Sequence, residues 1–399
     1  MTDKSFQDMA HATRLTRAGK LAEATALIQR LLRGEASSAA CRTGPATLIE
    51  GDSVTMDPAA PQAAHPAPEF SRPDARPRMG LGETLRSLAA RRMPASLDIG
   101  ISGVPQPAPD PLPDGASFTT ESYANAAGTR DYKLYVPANR AGQRLPLIVM
   151  LHGCTQSPDD FAAGTRMNAL AEEHGFLVAY PDQPASANAQ KCWNWFSPSD
   201  QRRDRGEPSL IAGITQRIMR DHPVDASRVY IAGLSAGGAA AATMGDAYPD
   251  LYAAVGVHSG LPTGAARDLP SAFSAMRQGA PGAGRRSRFV PTIVFHGDRD
   301  ETVHPRNGNA VAAQSTASAN GLSSTVQRGQ SPTGHAYSRM VYADASGGTL
   351  CEQWTIHGAG HAWAGGSSSG SFTDPRGPDA SREMLRFFLE HRHASARIL

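Results

Sequence analysis

Residues 228–238 read RVYIAGLSAGG, and this stretch constrains the rest of the chain more than any other. Val229, Tyr230 and Ile231 are β-formers in a short apolar run, Gly233-Leu234-Ser235-Ala236-Gly237 follows at once, and an Ala-rich segment then has helical composition. Strand, G-x-S-x-G and helix in immediate succession force a turn so sharp that a serine is held in a strained conformation with its hydroxyl exposed. Side chains at Gly233 or Gly237 would collide with the neighbouring strand or helix. The helix that starts behind Ser235 aims backbone N–H groups at any negative charge that develops there. The same five-residue pattern recurs at 366–370, GSSSG, but there it lacks a flanking strand and helix and reads as a flexible loop.

The remaining chain divides by composition. Residues 1–34 form a first unit, a helical hairpin broken at Gly19 and stopped at Gly34. Leu21, Ala24, Leu27, Ile28, Leu31 and Leu32 follow helical spacing, opposite a face carrying Arg14, Arg17, Lys20, Arg30 and Arg33. A basic amphipathic hairpin is suited either to docking on its own protein or to contacting a surface or protein partner. Residues 35–114 are a Pro/Ala-rich flexible linker, since thirteen of the thirty prolines fall between Pro45 and Pro113; one short helix is expected at 81–92. A domain is expected over 115–392, followed by a tail at 393–399.

Eight strands are expected in that domain, at 118–123, 132–136, 147–151, 176–180, 229–232, 253–258, 292–295 and 351–356. Several are continuous apolar runs such as LIVML, the pattern of strands covered on both faces. Helical stretches at 160–174, 208–221, 236–248, 307–317 and 379–390 alternate with the later strands. The alternation predicts a mostly parallel eight-stranded sheet with helices on both faces, the α/β-hydrolase fold once the G-x-S-x-G elbow is included. In such sheets the chemistry gathers beyond the carboxyl ends of the strands.

A serine hydroxyl needs a base, an acid to orient the base, and N–H donors for the oxyanion. In this architecture the acid and then the histidine follow the serine in chain order. HGDRDETV at 296–303 follows the seventh strand and offers Asp300, with Asp298 as the competitor. HGAGHAW at 357–363 follows the eighth and offers His361, beyond a Gly-rich turn, with His357 as the competitor. The loop after the third strand, His152 to Gln156, is placed to supply one oxyanion donor, the N–H of Cys154; the N–H of Ala236 is the other. Cys154 and Cys192 both follow strand ends and are expected as thiols, a disulfide being the alternative in an oxidising compartment. Trp193 and Trp195 in CWNWF, with Trp363 beside His361, read either as core aromatics under a loop or as an apolar wall for a substrate's acyl or aromatic group. The interval 259–291 has room for one helix and no lid domain, which suits a bulky or polymeric ester.

With those segments in view, the chain resembles the poly(3-hydroxybutyrate) depolymerase family of esterases, related to the feruloyl and acetylxylan esterases. The resemblance is carried by YKLYVP, LHGCTQ, CWNWF, GLSAGG, HSGLP, HGDRDETV and GAGHAWAGG, in order across about 118–391. It implies a catalytic triad of Ser235, Asp300 and His361, favouring Asp300 over Asp298, with Cys154 and Ala236 at the oxyanion hole. The function it implies is a serine carboxylic-ester hydrolase acting through an acyl-enzyme on poly(3-hydroxybutyrate)-type polyesters or hydroxyalkanoate oligomers. A feruloyl or acetylxylan esterase on plant-derived esters is the alternative, and a serine peptidase or a non-catalytic binding protein on the same scaffold the third reading. No metal or organic cofactor is implied. A net charge of +2 gives no reason to expect a nucleic-acid partner. No apolar run reaches membrane-spanning length. The N-terminal residues lack the apolar core of a secretory signal, which favours a cytoplasmic protein; many members of the family are secreted, so an extracellular one is the alternative.

Overall fold

The computed structural model describes residues 112–138, 142–280, 290–332 and 334–393. Every described residue lies in the second of the two units into which the chain divides, 102–399. The helical hairpin expected at 1–34, the short helix at 81–92, the linker as far as residue 111 and the tail from residue 394 all lie outside the described residues.

The frame of the second unit is a ten-stranded sheet in the order β1-β2-β4-β3-β5-β6-β7-β10-β9-β8. The strands are β1 (Ser117–Asn125), β2 (Gly128–Val136), β3 (Leu145–Leu151), β4 (Leu177–Pro181), β5 (Val224–Leu234), β6 (Ala254–His258), β7 (Thr292–Gly297), β8 (Ser323–Gln330), β9 (Ala336–Ala343) and β10 (Thr349–Ile356). The run from β4 through β3, β5, β6 and β7 to β10 is parallel. The antiparallel pairs β1-β2 and β8-β9 flank it, joined to it by antiparallel pairings.

The centre of the sheet is apolar on both faces because helices cover both. In β3 all seven residues are buried. Alternate side chains enter opposite cores: Leu147, Val149 and Leu151 join one cluster, Ile148 and Met150 the other. The first core receives α3 (Gly206–Asp221) through Ile211 and Ile214, α4 (Ala236–Ala247) through its alanines, and Val311 of α6 (Arg306–Thr316). The second receives Phe161 of α1 (Pro158–Thr165), Leu170 of α2 (Met167–His174), and Phe387 and Phe388 of α7 (Ala380–Leu389). Small side chains in α4 let it lie close against β5 and β6, so nearly the whole helix is buried.

Three features differ from the sequence expectation. The sheet has ten strands rather than eight, because β8 and β9 extend it as an antiparallel hairpin. β8, SSTVQRGQ, is almost wholly exposed, so no buried face imposes an apolar pattern. The helix expected at 160–174 is two helices, α1 and α2, broken where Arg166 takes φ 55°. β5 starts at Val224, ahead of the apolar run, through the mostly polar segment Asp225 to Arg228. The interval between β6 and β7 carries one helix, α5 (Leu269–Gln278), among the described residues.

Candidate active site

β5 runs into α4 through a single residue, Ser235, at φ 58° and ψ −119°. A non-glycine residue with positive φ is disfavoured, and here crowding forces it. A Cβ on Gly237 would lie 2.1 Å from the Leu151 carbonyl oxygen, and one on Gly233 would lie 2.4 Å from the Gly237 carbonyl carbon. Strand and helix therefore meet more closely than any side chain would permit. The Ser235 N–H donates to the His258 carbonyl at 2.9 Å, tying the turn to the end of β6. The Ser235 side chain does not cap α4. Ala236 is the first residue of that helix, where backbone N–H groups have no intrahelical acceptor.

Asp300 and His361 meet, with Asp300 Oδ2 accepting from His361 Nδ1 at 2.7 Å. Oδ1 of the same carboxylate accepts the N–H groups of Thr302 at 2.9 Å and Val303 at 2.8 Å. His296 Nε2 approaches Oδ2 at 3.3 Å and donates to the Val303 carbonyl at 2.8 Å. Burial of Asp300 opposes ionisation, but the His361 charge and the hydrogen bonds from His296 and His361 outweigh it. The carboxyl therefore lies well below the usual carboxylate range. The competitors form a pair of their own, His357 Nδ1 to Asp298 Oδ2 at 3.0 Å, with side chains 43% and 38% exposed. The buried and the exposed pair thus sort themselves by depth.

The loop after β3 lies beside the elbow, for a Cβ on Gly153 would come within 3.6 Å of Ser235 Cβ. Its N–H groups are largely committed. Gly153 N–H donates to Gln156 Oε1 at 2.8 Å, Thr155 N–H to the Gln190 carbonyl at 2.7 Å, and Gln156 N–H to the Gly153 carbonyl at 3.3 Å. His152 is fully buried, and burial lowers its pKa, so the ring is neutral. Its Nε2 accepts the Gln183 N–H at 3.0 Å, so Nδ1 carries the proton and donates to the Gly153 carbonyl at 2.8 Å.

Cys154 and Cys192 are joined in a disulfide, with Cα atoms 4.2 Å apart, which corrects the expectation of thiols. The loops after β3 and β4 are adjacent because those strands pair, and that adjacency spans 38 residues of sequence. The three tryptophans also differ from the substrate-wall reading. Trp193 is 0% exposed, Trp195 7% and Trp363 1%, so all three belong to the core beneath the loops. Trp193 Nε1 donates to the His152 carbonyl at 3.1 Å and Trp363 Nε1 to Ser381 Oγ at 3.0 Å. Their polar edges are spent inside the protein.

Several positioning residues carry no signal in the sequence. Buried Glu207 accepts from the Asn194 N–H and Asn194 Nδ2, both at 2.7 Å, and from Gln183 Nε2. Arg130 Nε donates to Gln183 Oε1 at 3.0 Å. This network fixes the CWNWF loop from three other points of the chain, Arg130, Gln183 and Glu207. His258, at the end of β6, stacks on Phe295 and Trp363 and accepts the Ala364 N–H through Nε2 at 3.0 Å. The GSSSG segment is packed rather than flexible: Ser367 N–H donates to the Gly164 carbonyl at 2.8 Å, and a Cβ on Gly370 would lie 2.4 Å from the Asp160 carbonyl oxygen.

A doubly covered, mostly parallel sheet with a strained serine between strand and helix, and an Asp–His pair supplied by later strand ends, defines an α/β-hydrolase. The fold likeness extends to a solved acetyl xylan esterase from Aspergillus awamori, with TM-score 0.54 and 20% identity over 69% of this chain and 99% of that one. Residues 130–334 match the family described as esterase PHB depolymerase, and the chain belongs to that family. It is 37% identical to poly(3-hydroxyalkanoate) depolymerase C of Paucimonas lemoignei over 57% of this chain and 56% of the relative. It is 30% identical to feruloyl esterase B of Neurospora crassa over 56% of this chain and 80% of the relative. The match thus spans little more than half of the depolymerase's own length. Among the described residues no helix is long and apolar enough to cross a membrane.

Proposed function

We propose that this protein is a serine carboxylic-ester hydrolase with Ser235 as nucleophile, His361 as base and Asp300 as the orienting acid. The observation that carries the reading is the 2.7 Å bond from His361 Nδ1 to the buried Asp300 carboxylate, in a fold whose elbow presents Ser235 at positive φ. That bond keeps the His361 proton on Nδ1 and leaves the Nε2 lone pair to receive the proton of Ser235 Oγ. Oγ attacks the ester carbonyl, the tetrahedral oxyanion forms, and His361 returns the proton to the leaving alcohol as the acyl-enzyme is left. Water, deprotonated by the same nitrogen, then releases the acid and restores Ser235. The N–H groups of Ala236 and Cys154 receive the oxyanion. The first stands at a helix start, and the second belongs to a loop whose amides at 153, 155 and 156 are otherwise bonded.

The substrate we propose is a poly(3-hydroxybutyrate)-type polyester or its oligomers, on the strength of the 37% identity to the depolymerase. A second reading, plant-derived feruloyl or acetyl esters, is favoured by the 80% coverage of feruloyl esterase B. The Cys154–Cys192 disulfide supports the extracellular alternative over a cytoplasmic location, since disulfides persist in oxidising compartments. The basic hairpin expected at 1–34 is a candidate for contact with a polymer surface or a protein partner.

The test is acid release from amorphous poly(3-hydroxybutyrate) and from p-nitrophenyl butyrate, by the protein and by Ser235→Ala. Activity on both, lost in the variant, is expected. Activity on the small ester alone would move the substrate to oligomers or plant esters. Equal rates with and without Ser235 would overturn the chemistry.

A further inference from the structure

Phe372 is the exposed large apolar side chain that also has positive φ among the described residues, being 40% exposed at φ 52°. Its place is set by bonds on both sides. Its own carbonyl accepts the Trp363 N–H at 2.7 Å, two residues past His361. The carbonyl of Ser371 accepts from Gln156 Nε2 at 3.0 Å, and the Oε1 of that glutamine holds the Gly153 N–H at 2.8 Å. The Ser371 N–H and Oγ both reach the Asp160 carboxylate, at 2.9 and 2.6 Å. The chain at Phe372 is therefore strapped between the segment that follows His361 and the loop that lies against Ser235.

Nothing in the backbone favours an aromatic there. A bulky L-residue at positive φ is sterically disfavoured, and glycine or asparagine would occupy the position with less strain. The ring belongs to neither core cluster and the residue stays 40% exposed, so packing in a core does not explain an aromatic at this position. Strained residues fixed by their surroundings cluster where a ligand is contacted. A rigid ring with two side-chain torsions presents apolar area at small entropic cost.

We infer that Phe372 is a specificity-determining residue at the rim of the site, contacting the apolar part of an ester beyond the scissile bond. It favours extended hydroxyalkanoate or acyl chains over acetyl groups. The inference rests on the ester-hydrolase reading, and its test separates the two.

Phe372→Gly and Phe372→Asn both suit the observed φ. The readouts are the ratio of kcat/KM for p-nitrophenyl octanoate over p-nitrophenyl acetate, the Tm, and calorimetric binding of a linear 3-hydroxybutyrate trimer in a Ser235→Ala background. The ratio should fall about tenfold, through KM rather than kcat, the order expected for losing one apolar contact. Trimer binding should weaken by a similar factor while Tm holds or rises. Ser368→Ala, an exposed change in the same loop, should leave the ratio unaltered. An unchanged ratio with unchanged trimer binding would overturn the inference. So would a Tm drop of more than about 5 °C with no change in the ratio, since Phe372 would then be a packing residue. Ester turnover that survives Ser235→Ala would overturn the hydrolase reading instead, and trimer binding would still judge Phe372.

Discussion

Replacing Asp300 by asparagine changes one atom of the proposed site, and the hydrogen bonds dictate which way the new amide turns. In the native protein Oδ1 takes two backbone donors, Thr302 at 2.9 Å and Val303 at 2.8 Å, and Oδ2 takes His361 Nδ1 at 2.7 Å. Asparagine has one acceptor oxygen. Turning it toward His361 would leave two N–H groups facing an NH₂, that of Val303 buried, at about 1–3 kcal/mol, and that of Thr302 partly buried, at less. The oxygen therefore stays with Thr302 and Val303, and the NH₂ faces His361. Nδ1 must then accept, the ring proton moves to Nε2, and His361 can no longer take the proton of Ser235. A base locked in the wrong tautomer costs about 10⁴ in kcat, close to 5.4 kcal/mol of barrier. The assay is p-nitrophenyl butyrate hydrolysis at pH 7.5 by Asp300→Asn and, in parallel, Asp298→Asn. The second variant touches the exposed Asp298–His357 pair and should stay within about threefold of the parent. Asp300→Asn keeping more than a tenth of the native kcat, or Asp298→Asn being the one that fails, would refute the tautomer reasoning and the assignment of the base.

Cutting the disulfide with Cys154→Ala/Cys192→Ala should lower stability by about 4 kcal/mol, the chain-entropy figure for a bridge spanning 38 residues. It should also lower kcat by about tenfold to a hundredfold, because the proposed donor at Cys154 loses its anchor; an unchanged Tm together with an unchanged kcat would refute both. Stability should fall with acidification below about pH 6.5. Burial, and then the charges of His296 and His361, push the His258 pKa down to about 3, so between those values the unfolded chain binds more protons and stability rises with pH. The His258 contribution is complete above about 6.5, is lost progressively toward about 3, and amounts to roughly 5 kcal/mol at most. His152, lowered in the same sense by burial, adds to the trend. Urea midpoints between pH 7.5 and 4.5, with the His258 ring resonances followed by NMR, check this; a flat midpoint or a ring that titrates near 6.5 would contradict it.

The elbow was legible because its constraint is local. Gly233, Ser235 and Gly237 act within five residues, and the apolar run before them and the alanines after them declare strand and helix by composition. The central strands were legible for a related reason: burial on both faces demands an unbroken apolar run, and LPLIVML is one. β8 and β9 are not legible in the sequence, because the exposed edge strand β8 and the half-buried β9 have no fully covered face to impose an apolar pattern. The place of the tryptophans is not legible in the sequence, because an aromatic in a loop near a site has the same letters whether it faces a ligand or the core.

Asp298 and Asp300 lie two residues apart, and His357 and His361 four, so the sequence alone offered both acids and both bases. Folding sets the Asp298–His357 pair at the surface and the Asp300–His361 pair inside. Folding likewise brings Cys154 to Cys192, braces one loop with Gln183 and Glu207, and carries Gln156 to Ser371 across 215 residues. The physical reason is a difference of range. Turn sterics and burial periodicity act within a few residues and can be read from them. Pairings between remote loops depend on how strands stack in the sheet, and neighbours there need not be neighbours in the chain.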